Sequence, residues 1–476
     1  MLAWVGKSYK AVDRFVGRVG LFPSILVALC GGLVVAVAAD RFLRWITPID
    51  TTKPAAQIDI TRIALTVVAG VGGVVALVIA YRRQRDIEQG RFVERFGAAA
   101  AQLGATDVAV RIAGVYAMAG VADESTGLRR QQCIDVLCGY LRLPYSPELG
   151  SNHQSKLVLK HHRATADGTR ADDSERHLEY RHDDREVRAT IVRVIADHLR
   201  PTAEYSWSTS DFDFRTAHLE DIDLSAARFS GTARFADATF AGPTRFKGAT
   251  FAGTAEFGGA TFAGTAWFKG ATFAGTAGFD DATFSGIAGF EGATFSGIAG
   301  FGGATFSGIA GFEGATFSTG AWFRRATFYN DAEFRSATFS STAWFAAATF
   351  SSDAWFVDAT FSGPTRFAST TFSGSARFEG ATFSSTTGFG GAAFSGIAGF
   401  AGVTFSSTVM FEEVTFSSTA RFDRVDFGAE VISFAEPRQW GPPAPQFDWD
   451  QDLSQKPGNV KPEDWPPTVT PPPVAE

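Results

Sequence analysis

From Phe284 to Phe317 the chain reads FSGIAGFEGATFSGIAGFGGATFSGIAGFEGATF, with phenylalanine at alternating intervals of six and five. Residues five and six apart do not share a helix face, and a glycine in each repeat costs a helix about 1 kcal/mol relative to alanine. A flat strand fails as well, because side chains alternate with period two and an interval of five flips every second phenylalanine to the other face. The chain therefore turns between phenylalanines.

Around each phenylalanine the unit is alanine, a variable residue, phenylalanine, then two small or polar residues. Ala249-Thr250-Phe251-Ala252-Gly253 is one such unit and Ala255-Glu256-Phe257-Gly258-Gly259 the next. One extra residue, Thr254, separates them, and the same slot holds Pro243, Thr265, Ile287, Ile298, Asp331 and Pro364. Three extended residues put alanine and phenylalanine on one face and the middle residue on the other, while the following pair turns a corner. Four such sides close a square coil of about 22 residues. Coils stacked at ~4.8 Å bury four columns of phenylalanine, with alanine where the interior is narrow.

Upstream, AHLEDIDLSAARFSG (Ala217 to Gly231) shows strict fives at Leu219, Leu224 and Phe229. This resembles the pentapeptide repeat family, whose pattern is a small residue, a polar residue, Leu or Phe, and two variable residues. The resemblance covers residues 212–434 and implies a right-handed quadrilateral parallel β-helix, a mainly β fold. The sixth residue departs from the family pattern and is expected to bulge one corner in each half-coil.

Residues 20–39 and 63–81 are uncharged runs, each long enough at about 1.5 Å per residue to cross a ~30 Å hydrocarbon layer. They predict a two-helix transmembrane hairpin over 19–81, after a cytoplasmic N-terminus over 1–18. Arg82, Arg83, Arg85, Arg91 and Arg95 follow the second run, which places both termini on the cytoplasmic side. A bacterial inner membrane is the expected location, with the lipid bilayer as one partner. Residues 82–145 read as a small helical domain, with Phe92, Phe96, Ala99 and Leu103 on one stripe. Residues 146–184 read as a polar linker, and 185–211 as a capping helix and lead-in, with Val187, Ile191, Val194 and Ile195 as its apolar face. The β-helix follows over 212–434, and the proline-rich tail, 435–476, reads as disordered.

No catalytic motif stands out, so the expectation is a non-enzymatic protein without cofactor or metal. His153, His161, His162, His177 and His182 lie near Asp172, Asp173, Asp183 and Asp184, at no recognisable zinc spacing. Cys133 and Cys138, five apart on an expected helix, form no disulfide framework. Residues 212–434 hold 20 acidic and 13 basic residues, which excludes direct nucleic-acid binding. Some members of the resembled family mimic DNA and bind DNA gyrase, so regulation of gyrase is the alternative reading. Some also pair end to end, which makes a homodimer a possible state.

The outward middle positions carry more information. They include Trp267, Trp322, Trp344, Trp355, Arg366 and Arg377. A coil of about 22 residues stacks Trp322 on Trp344 along one side, and sets Trp267 and Trp355 along the opposite side. Tryptophan beside arginine is characteristic of protein contacts, so these six residues form the candidate contact surface of a cytoplasmic protein-binding scaffold. The threonines at Thr250, Thr261, Thr272 and Thr283 form ladders that cross-strand packing accounts for.

Overall fold

The computed structural model describes residues 55–145, 156–164, 170–179 and 184–470, with five isolated positions between 34 and 45. The chain divides into two compact units, residues 1–95 and 96–476.

In the first unit the main element is α1 (Ala55–Leu103), 49 residues long, whose last turns belong to the second unit. Among the described residues no helix is long and apolar enough to cross a membrane, so the two expected spans find no support there. Residues 20–39 lie outside the described residues except for Val34, Val37 and Ala38. Residues 63–81, several of whose side chains also lie outside them, form part of α1. The domain boundary expected after residue 81 is not a break in the helix, and no proline interrupts the chain from Ile63 to Leu103.

The second unit begins with the end of α1, followed by α2 (Val108–Asp123) and α3 (Leu128–Leu141). Asp107 caps α2 by accepting from Ala109 N at 2.7 Å and Val110 N at 3.3 Å. Gly114 allows α2 to pass close to α1, where a Cβ would meet Leu103 N at 2.7 Å. The segment expected to be a polar linker, 146–184, instead contains an antiparallel hairpin of β1 (Lys156–Ala164) and β2 (Arg170–Glu179), with Val158 opposite His177. The strand sequences, KLVLKHHRA and RADDSERHLE, show no sustained period-two alternation of apolar and polar residues. Next comes α4 (Asp184–Leu199), which buries Val187, Ile191, Val194 and Ile195.

From Phe212 onward the chain winds into a parallel β-solenoid with four faces. In the order in which the chain meets them, faces 1, 2, 3 and 4 contain 12, 11, 10 and 9 strands. One coil shows the logic. Ala299-Gly300-Phe301 lies on face 1, Ala304-Thr305-Phe306 on face 2, Ala310-Gly311-Phe312 on face 3 and Ala315-Thr316-Phe317 on face 4. Each alanine and phenylalanine of that coil is buried.

The two corner types explain the alternating intervals. After faces 1 and 3 the chain turns in two residues, with Ala304 N donating to Phe301 O at 3.2 Å and Gly303 at φ 66°. That positive φ is what the third position of a type II turn requires. After faces 2 and 4 the corner takes three residues, and the expected bulge is here: the extra residue joins the ladder through its carbonyl, as where Ala288 N donates to Ile309 O at 2.9 Å. Phenylalanine rings stack from coil to coil, with Phe301 lying 4.9 Å from Phe279 and 4.8 Å from Phe323.

The tail departs from expectation. Residues 435–470 continue the stack rather than forming a disordered segment. Gln439–Trp440 pairs with Thr415–Phe416, Gln446–Phe447 with Arg421–Phe422, and Val460–Lys461 with Ile432–Ser433. Phe447 stacks on Phe422 at 4.7 Å, and Trp465 meets Phe434 edge-on at 5.9 Å. The prolines lie between aromatic anchors that close the end of the core, so proline content concealed the continuing coil.

Candidate binding faces

Threonine occupies the outward position of face 2 from Thr239 to Thr371 and of face 4 from Thr250 to Thr382. Faces 1 and 3 carry the variable residues. On face 1, Glu256, Gly278, Gly300, Trp322, Trp344, Arg366 and Gly388 succeed one another coil by coil. On face 3 the succession is Arg245, Trp267, Gly289, Gly311, Glu333, Trp355 and Arg377.

The six candidate residues therefore fall into two groups on opposite faces, and no single flat contact covers both. On face 1, Trp322 is 40% exposed. Its ring lies 6.3 Å from that of Trp344 at an interplanar angle of 24°. The Arg366 guanidinium sits 5.2 Å above the Trp344 ring and that of Arg324 lies 5.8 Å from it. Such pairs are favourable by about 0.5–1 kcal/mol at exposed sites.

Face 3 is closed on itself. Trp355 is half-buried between Arg335 at 4.1 Å and Arg377 at 4.5 Å, and Arg335 pairs with Glu333 at 3.3 Å. Burial raises the pKa of Glu379, beside this cluster. Further down, Arg245 lies 5.2 Å over Trp267.

Sequence reasoning did not single out Arg324, Arg325 and Arg335, although the repeat register contains the signal: each follows a phenylalanine by one or two residues, at a corner beside an outward tryptophan. It also missed the network that joins the helices to the first coil. Arg111, fully buried, donates to Asp184 Oδ1 at 2.6 Å and to Tyr140 Oη at 3.0 Å, while Tyr140 Oη–H donates to Asp184 Oδ1 at 2.5 Å. Burial first, and then the bond to Asp184, raise the pKa of Tyr140. A charged residue inside the apolar run DVAVRIAGVYAMAG was the available signal, since a buried arginine needs a buried acid.

Arg188 crosses from α4 to the solenoid, donating to His218 O at 3.1 Å and to Leu141 O. The Gln131 side chain exchanges two hydrogen bonds with the Asp211 backbone, at 2.8 and 2.9 Å. It thereby occupies part of the open edge where the ladder begins. Arg215 first, and then Arg142, hold the Asp213 carboxyl far below the usual range. A cavity of about 250 Å³ remains between α4 and the first coil, lined by Tyr145, Arg188, His218 and Glu220, with Arg185 paired to Glu220 at 3.0 Å.

Among the described residues no group of three or more His, Cys, Asp or Glu side chains could hold a metal ion. His161, His162 and His177 lie on the hairpin strands, and His153 and His182 lie outside the described residues. Burial pushes the Cys133 thiol up to about 11 and Cys138 to about 12, so neither is a nucleophile near neutral pH.

A family model described as pentapeptide repeats matches in nine copies, with overlapping windows that run from residues 224–272 to residues 367–415. No curated protein matches the chain, and no solved structure matches it. The match falls on the coils whose phenylalanines stack and whose backbones pair in register, and the solenoid of this chain belongs to the pentapeptide repeat family.

Proposed function

We propose that this protein is a non-enzymatic scaffold that binds a partner protein on face 1 of its solenoid and is attached to a membrane through its N-terminal helical segment. The observation that carries the binding role is the exposed Trp322 ring stacked along Trp344 on a flat sheet face. A tryptophan pair with one exposed and one half-buried ring, flanked by arginine, is the composition of a contact hot spot, and the alanine and phenylalanine beneath both rings are buried, so the platform is rigid. A rod that mimics DNA needs carboxylates along its faces. Face 1 instead carries arginine beside its tryptophans, which favours the scaffold over a gyrase ligand.

Replacing Trp322 and Trp344 with serine is expected to abolish capture of the partner by the full-length protein, while the far-UV circular dichroism melt stays within about 2 °C of wild type. Both side chains point outward and neither fills the core, so little stability depends on them. Undiminished capture would remove face 1 from the function.

Support for attachment comes from the uncharged sequence of residues 63–81 and from the exposed side chains of Val74, Leu77, Val78 and Ile79 on α1. A run of such side chains on one helix is unfavourable in water and favourable in hydrocarbon. The protein is expected to remain in the membrane pellet after an alkaline carbonate wash, whereas a protein released by that wash is not anchored.

A further inference from the structure

We propose that the partner segment recognised on face 1 is an acidic peptide, held between Arg324, Arg325 and Arg366 and seated on Trp322 and Trp344. The inference rests on the scaffold reading above and specifies its chemistry.

The first ground is the distribution of charge. Face 1 and the corners along its two edges comprise residues 318–325, 340–347 and 362–369 in three successive coils. They contain three arginines, two tryptophans and no aspartate or glutamate. The coils on either side, residues 296–303 and 384–391, contribute no charged residue at all. Acidic residues outnumber basic ones over the solenoid as a whole, 20 to 13 across residues 212–434. The Asp280 carboxylate of the preceding coil reaches Gly302 N at 2.9 Å, at the border of this stretch, and the three central coils, with three arginines and no carboxylate of their own, form a local reversal of the field.

The second ground is the state of those arginines. Arg324, Arg325 and Arg366 are exposed, and none of them pairs with a carboxylate among the described residues. On the opposite face Arg335 has Glu333 at 3.3 Å, and the carboxylates of Asp331, Asp353 and Asp358 belong to the corners that border it. Face 3 is thus neutralised from within the chain, whereas face 1 presents its charge to a partner.

The corner that holds Arg325 keeps one backbone conformation from coil to coil. Arg325 adopts φ 57°, in the left-handed region, where its counterpart one coil earlier is Gly303 at φ 66°. Glycine takes that conformation freely and arginine does not. The next two coils carry Ala347 at φ 56° and Ser369 at φ 55° there, so the corner accepts different side chains and its backbone does not call for arginine.

The chemistry of guanidinium on indole then selects the ligand. A guanidinium donates two parallel N–H···O bonds to a carboxylate while its plane still rests on an aromatic ring. The Trp322 ring remains available for an apolar side chain of the same peptide. A nucleic-acid strand fits less well. Nucleic-acid binding draws its affinity from roughly six to ten phosphate contacts, and here three arginines stand on a solenoid that is acidic elsewhere.

The test uses the full-length protein and a fluorescein-labelled oligoglutamate peptide, followed by fluorescence anisotropy, with oligolysine and single-stranded oligothymidine as comparison probes. The expected result is binding of oligoglutamate that weakens with added salt and falls by about tenfold in the Arg324→Gln, Arg366→Gln variant. Arg377→Gln, on the opposite face, is expected to change nothing. Arg325→Gly installs the residue that the neighbouring coil already carries at that corner, so it preserves the fold and is expected to weaken binding severalfold.

Equal binding by the arginine variants, or a preference for oligothymidine, overturns the proposal. The scaffold reading fails separately. If the tryptophan replacements lose the partner while the arginine replacements keep it, face 1 binds a partner of other chemistry. If neither set affects capture, face 1 is not the contact.

Discussion

Phe301→Ala is expected to lower the stability of the solenoid by about 3–5 kcal/mol, the cost of emptying a fully buried aromatic site. Phe301 has no exposed surface. It stacks between Phe279 and Phe323 at 4.9 and 4.8 Å and meets Phe290 and Phe312 edge-on at 5.5 and 5.4 Å. The neighbouring rings are themselves held by the backbone ladder and cannot collapse into the void, so little of the loss is recovered by relaxation. Each coil touches only the coils before and after it, so the damage concentrates at one plane of the stack. Thermal denaturation followed by circular dichroism should therefore show a lower and broader transition than wild type, with hydrogen exchange accelerated most near residues 279–323. A melt indistinguishable from wild type would mean that the stacked rings are not the main source of stability.

Asp184→Ala is expected to have an effect of similar size at the other end of the second unit. It takes from the wholly buried Arg111 a carboxylate 2.6 Å away, and from Arg188 an acid 3.8 Å away. Removing one partner of a buried ion pair typically costs about 3–5 kcal/mol, because the remaining charge stays out of water. The helices α2, α3 and α4 should loosen together, and amide exchange should rise in them and in the first coil through Arg188 and His218. Coils near Phe301 should be unaffected. A paired replacement, Arg111→Met with Asp184→Leu, is expected to recover most of the loss, since it removes the buried charges together. If the paired replacement is as damaging as the single one, the role of these residues is packing rather than charge.

These two sites differ in how readily the chain discloses them. Phe301 is visible in the sequence because the solenoid repeats one geometric problem, and the same solution recurs every 22 residues, as when Ala299 pairs with Ala321. That coil length also places Trp322 opposite Trp344, and the strands pair in that register. Asp184 is not visible in this way. It lies at the start of a helix, 73 residues from Arg111, and a contact made once leaves no period to detect. The hairpin at residues 156–179 and the aromatic anchors Trp440, Phe447 and Trp465 escaped notice for related reasons. The first has strand sequences without sustained alternation and the second has irregular spacing between prolines, so neither produces the pattern that betrays a buried face. The division of the six candidate residues between faces 1 and 3 follows from the coil length alone, whereas the charge reversal around Trp322 emerges only when the corners are assigned to their faces.

The threonine ladders of faces 2 and 4 have a consequence for the two faces between them. They fix half of the outward positions to one residue type, and leave the chain a single free choice of side chain per coil on face 1 and another on face 3. Successive choices on a face are separated by the spacing of the backbone ladder, about 4.8 Å, and neither choice disturbs the phenylalanines behind it. The solenoid is thus a ruler with exchangeable marks along two opposite edges. A substitution at one mark rewrites what that edge can read and leaves both the scale and the other edge as they were.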